Sequence, residues 1–102
     1  MRTIELNAAN WKTVLDFYHA ILPAVGAPDW HGESPNALID SMIWGGINSI
    51  EPPYKIKIHG LRSTPHSVRE HVNLVKQAIA EARTEYHRRR DADIDVSIET
   101  AA

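Results

Sequence analysis

The sequence predicts an α/β protein of two layers, a three-stranded parallel sheet with helices packed on one of its faces. Residues 3–6, 54–59 and 94–99 alternate apolar and polar side chains, the period of a strand with one buried face. The stretches between them are long and helical in pattern, and connections of that length join parallel neighbours rather than hairpins. The alternation also places the helices on one side, because a sheet covered on both faces reads as continuous apolar runs.

Each element has its own signal. Thr3-Ile4-Glu5-Leu6 is the first strand, and Asn10 is an N-cap candidate for a helix from Trp11 to about Leu22. Trp11, Val14, Leu15, Tyr18, Ile21 and Leu22 share one face of that helix, and Pro23, lacking an amide, should stop or distort it. Ser34 and Pro35 open a second helix, with Ala37, Leu38, Ile39 and Met42 as its apolar stripe and Gly45-Gly46 as its end. The connector 47–53 carries Pro52 and Pro53, which suit neither helix nor ladder. In the second strand Tyr54, Ile56 and Ile58 point one way, with Lys55, Lys57 and His59 the other. Thr64-Pro65 repeats the cap-and-proline signature before a long helix striped by Val68, Val72, Val75, Ile79, Ala82 and Tyr86. Arg88, Arg89 and Arg90 suit the negative pole at its end. The last strand sets Ile94, Val96 and Ile98 against Asp95, Ser97 and Glu99, and the acids Asp95 and Glu99 can pair with the basic residues across the ladder.

A chain of 102 residues is expected to form a single domain over residues 1–102. With no cysteine, disulfides and thiol catalysis are excluded. A net charge of −2 gives no broad attraction to nucleic acid, so direct nucleic-acid binding is not expected. No apolar run reaches membrane-spanning length and no signal segment opens the sequence, which together point to the cytoplasm.

Chemistry concentrates between Pro28 and Gly46. Asn36, Asp40 and Trp44 recur at intervals of four and should share one helix face, preceded by a loop with Trp30, His31, Gly32 and Glu33. Asp29 and Glu33 near a helix start are accounted for by its dipole; Asp40, further in, is not. Residue types alone leave two readings open, a polar face that meets only water or a contact surface. No glycine-rich phosphate loop, nucleophile elbow or zinc signature is present. His66 and His71, five apart on a helix, stand about 140° apart around its axis and are poorly set to share a metal. Neither metal nor cofactor is therefore expected.

The run Pro28-Asp29-Trp30-His31-Gly32-Glu33-Ser34-Pro35-Asn36-Ala37-Leu38-Ile39-Asp40 resembles the barstar family of intracellular inhibitors of barnase-type bacterial ribonucleases. That family's pattern here is proline, an acid, two aromatic residues, Gly-Glu-Asn-Leu-Asp-Ala-Leu, one residue and aspartate. Weaker likeness continues through Trp44-Gly45-Gly46, Pro53-Tyr54 and Glu81-Ala82-Arg83-Thr84-Glu85, with an insertion around 86–91. The resemblance implies that loop and helix enter a nuclease active site, where carboxylates replace substrate phosphates against Lys and Arg and aromatic residues pack over the catalytic groups. It puts Asp40 at the anchoring aspartate, Trp30 at the first contact aromatic, Glu81 at a remote contact glutamate and Trp44 at or beside a contact tryptophan. His31 stands where a second aromatic residue is expected, and Asn36 where a second contact aspartate is.

The site implied is thus Trp30, His31, Glu33, Asn36, Asp40, Trp44 and Glu81, in an immunity protein without catalytic activity. It would be a monomer when free and a heterodimer with a basic nuclease toxin. Two rival classes carry different marks. A small enzyme would bring Asp40 and His31 together as a base and its partner in a closed cavity. A regulatory interaction module would expose an apolar patch instead of an acidic one.

Overall fold

Three strands, Arg2–Asn7 (β1), Tyr54–His59 (β2) and Val96–Thr100 (β3), form one parallel sheet in the order β1-β2-β3. The computed structural model describes residues 2–45 and 48–101; Gly46 and Ile47, read as part of a helix stop and of the connector, lie outside the described residues. Register aligns the apolar rows, with Ile4 opposite Ile56 and Ile56 opposite Ile98. Tyr54, Ile56 and Ile58 are buried while Lys55, Lys57 and His59 between them are half-buried, so the alternation divides a covered face from an open one. Helices Val14–Ala24 (α1), Pro35–Ile39 (α2) and His66–Arg90 (α3) supply the rest of the core. Phe17, Tyr18 and Ile21 of α1, Leu38 of α2 and Val68, Val72, Val75 and Ile79 of α3 join the strand residues in one hydrophobic cluster. That is the α/β architecture the periodicities predict.

Several boundaries move. Helix α1 begins after Thr13 rather than Asn10, because the Asp16 carboxylate reaches back to the Lys12 and Thr13 amides at 2.7 and 3.0 Å. Those amides hold Asp16 below its usual range. Pro23 does not stop α1, since it occupies the last turn, where the chain has only to close with Val25 N–H on Ile21 O at 3.1 Å. Thr64 is not the cap of α3. Its hydroxyl donates to Leu61 O at 2.6 Å and closes a 3₁₀ turn over Leu61–Ser63, leaving Pro65 in the capping position.

Strand β3 starts at Val96 and not at Ile94, because the preceding segment is tied to α3. Arg83 forks onto Asp93 at 3.0 and 2.7 Å and reaches Asp95 at 3.2 Å, so Asp95 turns to the helix instead of the strand lysines. These contacts raise the Arg83 pKa and lower that of Asp93. The remaining acids do pair across the ladder, Glu99 with Lys55 at 3.2 Å and Glu5 with His59 at 2.8 Å.

Candidate functional site

The loop 28–34 and the helix after it are built by short-range capping and one buried clamp. Ser34 caps α2 by accepting from Ala37 N–H at 3.1 Å, with Pro35 as the first helical residue. The helix does not continue as α to Trp44. From Asp40 to Trp44 the chain widens into a single π-turn, closed by Gly45 N–H on Asp40 O at 2.9 Å. Gly45 ends it at φ 81°, a conformation that costs glycine little. The wide turn buries Ser41, Met42 and Ile43 in succession, which a narrow α stripe would not do.

It also corrects the shared face expected for Asn36, Asp40 and Trp44. Asn36 and Asp40 are exposed, but the wider turn swings Trp44 onto Tyr86 of α3, with ring centroids 5.3 Å apart, and leaves it half-buried. Asp40 makes no side-chain hydrogen bond or ion pair among the described residues.

His31, expected among the contact residues, is turned inward and only 7% exposed. Its Nδ1 lies 2.7 Å from Gly32 O and its Nε2 2.7 Å from Ser41 Oγ. A carbonyl can only accept, so in the neutral ring Nδ1 carries the proton; the single Ser41 hydroxyl proton, for which Leu38 O at 3.3 Å competes, then goes to Nε2 along the shorter bond. The imidazole therefore fastens the loop to the π-turn. Trp30 and Asp40 are each one residue along the chain from this bond, and Trp30 stays 74% exposed. Glu33 is exposed with His19 Nε2 at 3.0 Å. Glu81 is exposed on α3 and lines a shallow hollow with Glu70 and Leu74, to which no residue of the loop contributes.

Behind the loop the Tyr18 hydroxyl lies 2.7 Å from His71 Nε2. Burial, with the Glu33 charge adding to it, pushes the Tyr18 pKa up to about 12, and burial lowers that of His71. A hollow of about 490 Å³ is lined by Tyr18 together with His19 and the loop residues Asp29, His31 and Glu33, and a cleft of about 610 Å³ lies beyond Trp44, walled by Tyr86, Glu51 and Asp95. Asp40 lines neither, which puts it on an outward surface and not in a cavity. Among the described residues no three His, Asp or Glu side chains gather as a metal site.

A model of the Barstar (barnase inhibitor) family matches residues 1–99. The chain belongs to that family. Barstar-family proteins are ribonuclease inhibitors rather than enzymes, and a ribonuclease is their partner. No curated protein matches the chain. No helix among the described residues is long and apolar enough to cross a membrane.

Sequence reasoning missed Ser41 and Tyr86 as the supports of this loop and turn. A serine inside a helical stretch usually bonds its own backbone or water, and nothing local marks it as the partner of a histidine ten residues earlier. Tyr86 was visible only as the end of an apolar stripe, and its contact with Trp44 depends on the π-turn.

Proposed function

We propose that this chain is the cytoplasmic immunity protein of a bacterial ribonuclease toxin, a one-domain monomer that forms a heterodimer by covering the toxin's basic active site. The observation that carries the proposal is an indole left 74% exposed on a loop clamped to the turn that carries Asp40, whose carboxylate has no partner among the described residues. A water-facing tryptophan held in place gains by docking, because it can bury a large area with little loss of side-chain freedom. A carboxylate with no partner among the described residues is free to meet Lys and Arg in an electropositive pocket, where desolvation strengthens the pairing and long-range attraction speeds encounter. Trp30, Glu33, Asn36 and Asp40 form the centre of contact, with Trp44 and Glu81 at its margins, and His31 supports the loop from inside. Asn36 donates or accepts hydrogen bonds but offsets no cation, so the toxin differs from barnase at the group it meets.

An enzyme reading has no comparable support. Both nitrogens of His31 are engaged with Gly32 and Ser41, so it forms no pair with Asp40. The exposed large apolar side chains Leu15, Trp30 and Leu74 belong to three separate elements, which gives no support to an apolar docking module.

The test is titration of the chain against the ribonuclease encoded in the adjoining reading frame, with barnase in parallel, following RNA cleavage. Stoichiometric inhibition of the neighbouring enzyme is expected. No inhibition of either enzyme at molar excess, or RNA cleavage by this chain alone with or without zinc, magnesium or manganese, would overturn the proposal.

A further inference from the structure

The last turn of α3 holds three consecutive arginines in three different states. Arg88 and Arg89 are both taken up by Glu85, with Arg89 Nε 2.7 Å from its carboxylate. Those contacts lower the Glu85 pKa and raise that of Arg88. Arg90 has no carboxylate partner among the described residues. Its guanidinium lies over two rings instead, 5.8 Å from the Trp44 centroid and 5.9 Å from that of Tyr86. Arg89 also reaches the Trp44 ring, at 6.0 Å. Compensation of the helix dipole accounts for basic residues in this turn, but not for an unneutralised cation turned back onto an aromatic pair. Cation–π contact orients a guanidinium without cancelling its charge, so its planar fork stays available for a carboxylate or a phosphate.

Its place on the surface decides between those two. Trp44 closes the π-turn that Asp40 opens, so the arginine cation stands at one end of a turn whose other end carries the proposed anchoring carboxylate. A nuclease pocket that is basic throughout would meet Asp40 favourably and Arg90 unfavourably. An RNA backbone would be repelled by Asp40 and by the net charge of −2.

We infer that Arg90, held on Trp44 and Tyr86, pairs with an aspartate or glutamate on the rim of the partner ribonuclease's basic active site and so selects which toxin this chain neutralises. This rests on the proposed inhibitor function and adds to it a partner of mixed charge, basic at the centre and acidic at one edge. Arg88, already paired with Glu85, contributes nothing to that choice.

The experiment is a set of double-mutant cycles with the ribonuclease encoded beside this chain. Arg90→Ala, Arg90→Glu and Arg88→Ala are combined with single Asp→Ala and Glu→Ala changes around the nuclease active-site rim, and association rate and Kd are measured at low and high salt. Arg90→Ala should weaken binding about threefold and Arg90→Glu about tenfold or more, chiefly through slower association at low salt. One rim carboxylate should show non-additivity with Arg90, while Arg88→Ala stays within about twofold of the parent. All three variants should melt like the parent, since these side chains are exposed.

The inference fails if Arg90→Glu binds as tightly as the parent, or if no rim carboxylate couples to Arg90; the inhibitor function would then still stand. It also fails if the parent captures a labelled single-stranded RNA that Arg90→Ala does not, with nuclease affinity unchanged. A parent chain that binds no ribonuclease would overturn both.

Discussion

On the open face of the sheet, Lys55 meets Glu99 and His59 meets Glu5, and Lys57 stands in register between Glu5 and Glu99. Around the loop and π-turn, Asp29 and Asp40 are exposed but meet no cation among the described residues, and Trp30 is 74% exposed. Both surfaces carry acids, and they differ in whether those charges are balanced within the chain. Exposed pairs across a ladder contribute little and need no partner. An unpaired carboxylate and a bare indole, on a loop fastened by a buried imidazole, are the groups that the proposed function turns toward a partner.

Substitution at Asp40 should break the comparison most sharply. Asp40→Ala should cost at least ~2 kcal/mol of binding to the neighbouring ribonuclease, a range that includes measurements on the barnase–barstar pair itself and so is no independent estimate. Its Tm should be unchanged or slightly higher, because alanine suits a helical turn better than an unpartnered aspartate. Lys57→Ala should change neither quantity. If Lys57→Ala loses more affinity than Asp40→Ala, the binding surface has been assigned to the wrong side of the molecule.

Ser41→Ala separates support from contact. Removing the hydroxyl leaves the buried His31 Nε2 without its donor, which should lower stability by about 1–2 kcal/mol. Affinity should fall as well, through faster dissociation, because Trp30 is then less firmly held before binding. Unchanged melting and unchanged dissociation would show that the clamp does not organise the loop.

A third measurement concerns the wall behind the loop. Burial lowers the His71 pKa below the 6.5 it has when unfolded, so at slightly acidic pH the unfolded chain binds the extra proton more readily. Stability from this group is full above pH 6.5 and is lost as the pH falls below it. Urea unfolding at pH 7.5 and 5.5 should show that loss in the parent and a smaller one in His71→Gln; an equal loss in both would move its cause elsewhere.

The smallest effect belongs to the open sheet. Glu99→Ala removes an exposed diagonal pair and should change stability by less than about 0.5 kcal/mol, with no change in binding. A larger cost would mean that the cross-strand charges contribute more than their exposure allows.

What the sequence determined by itself was periodic or local. The alternation of Tyr54 to His59 selected the covered face of the central strand, the 3.6-residue stripe from Val68 to Ile79 set the buried side of α3, and Ser34-Pro35 marked the start of the site helix, because each depends on neighbours within about one turn. The run from Pro28 to Asp40 likewise carried the family. Only the tertiary structure decided that His31 faces Ser41, that the helix widens after Ile39, and that Trp44 turns to Tyr86 beneath Arg90. The first and last of those join groups from separate segments, and the widened turn sets Trp44 toward α3. A histidine meets water or a serine, and a tryptophan meets a partner protein or its own helix, according to what packing brings alongside, and the spacing of residues in one segment holds no record of that.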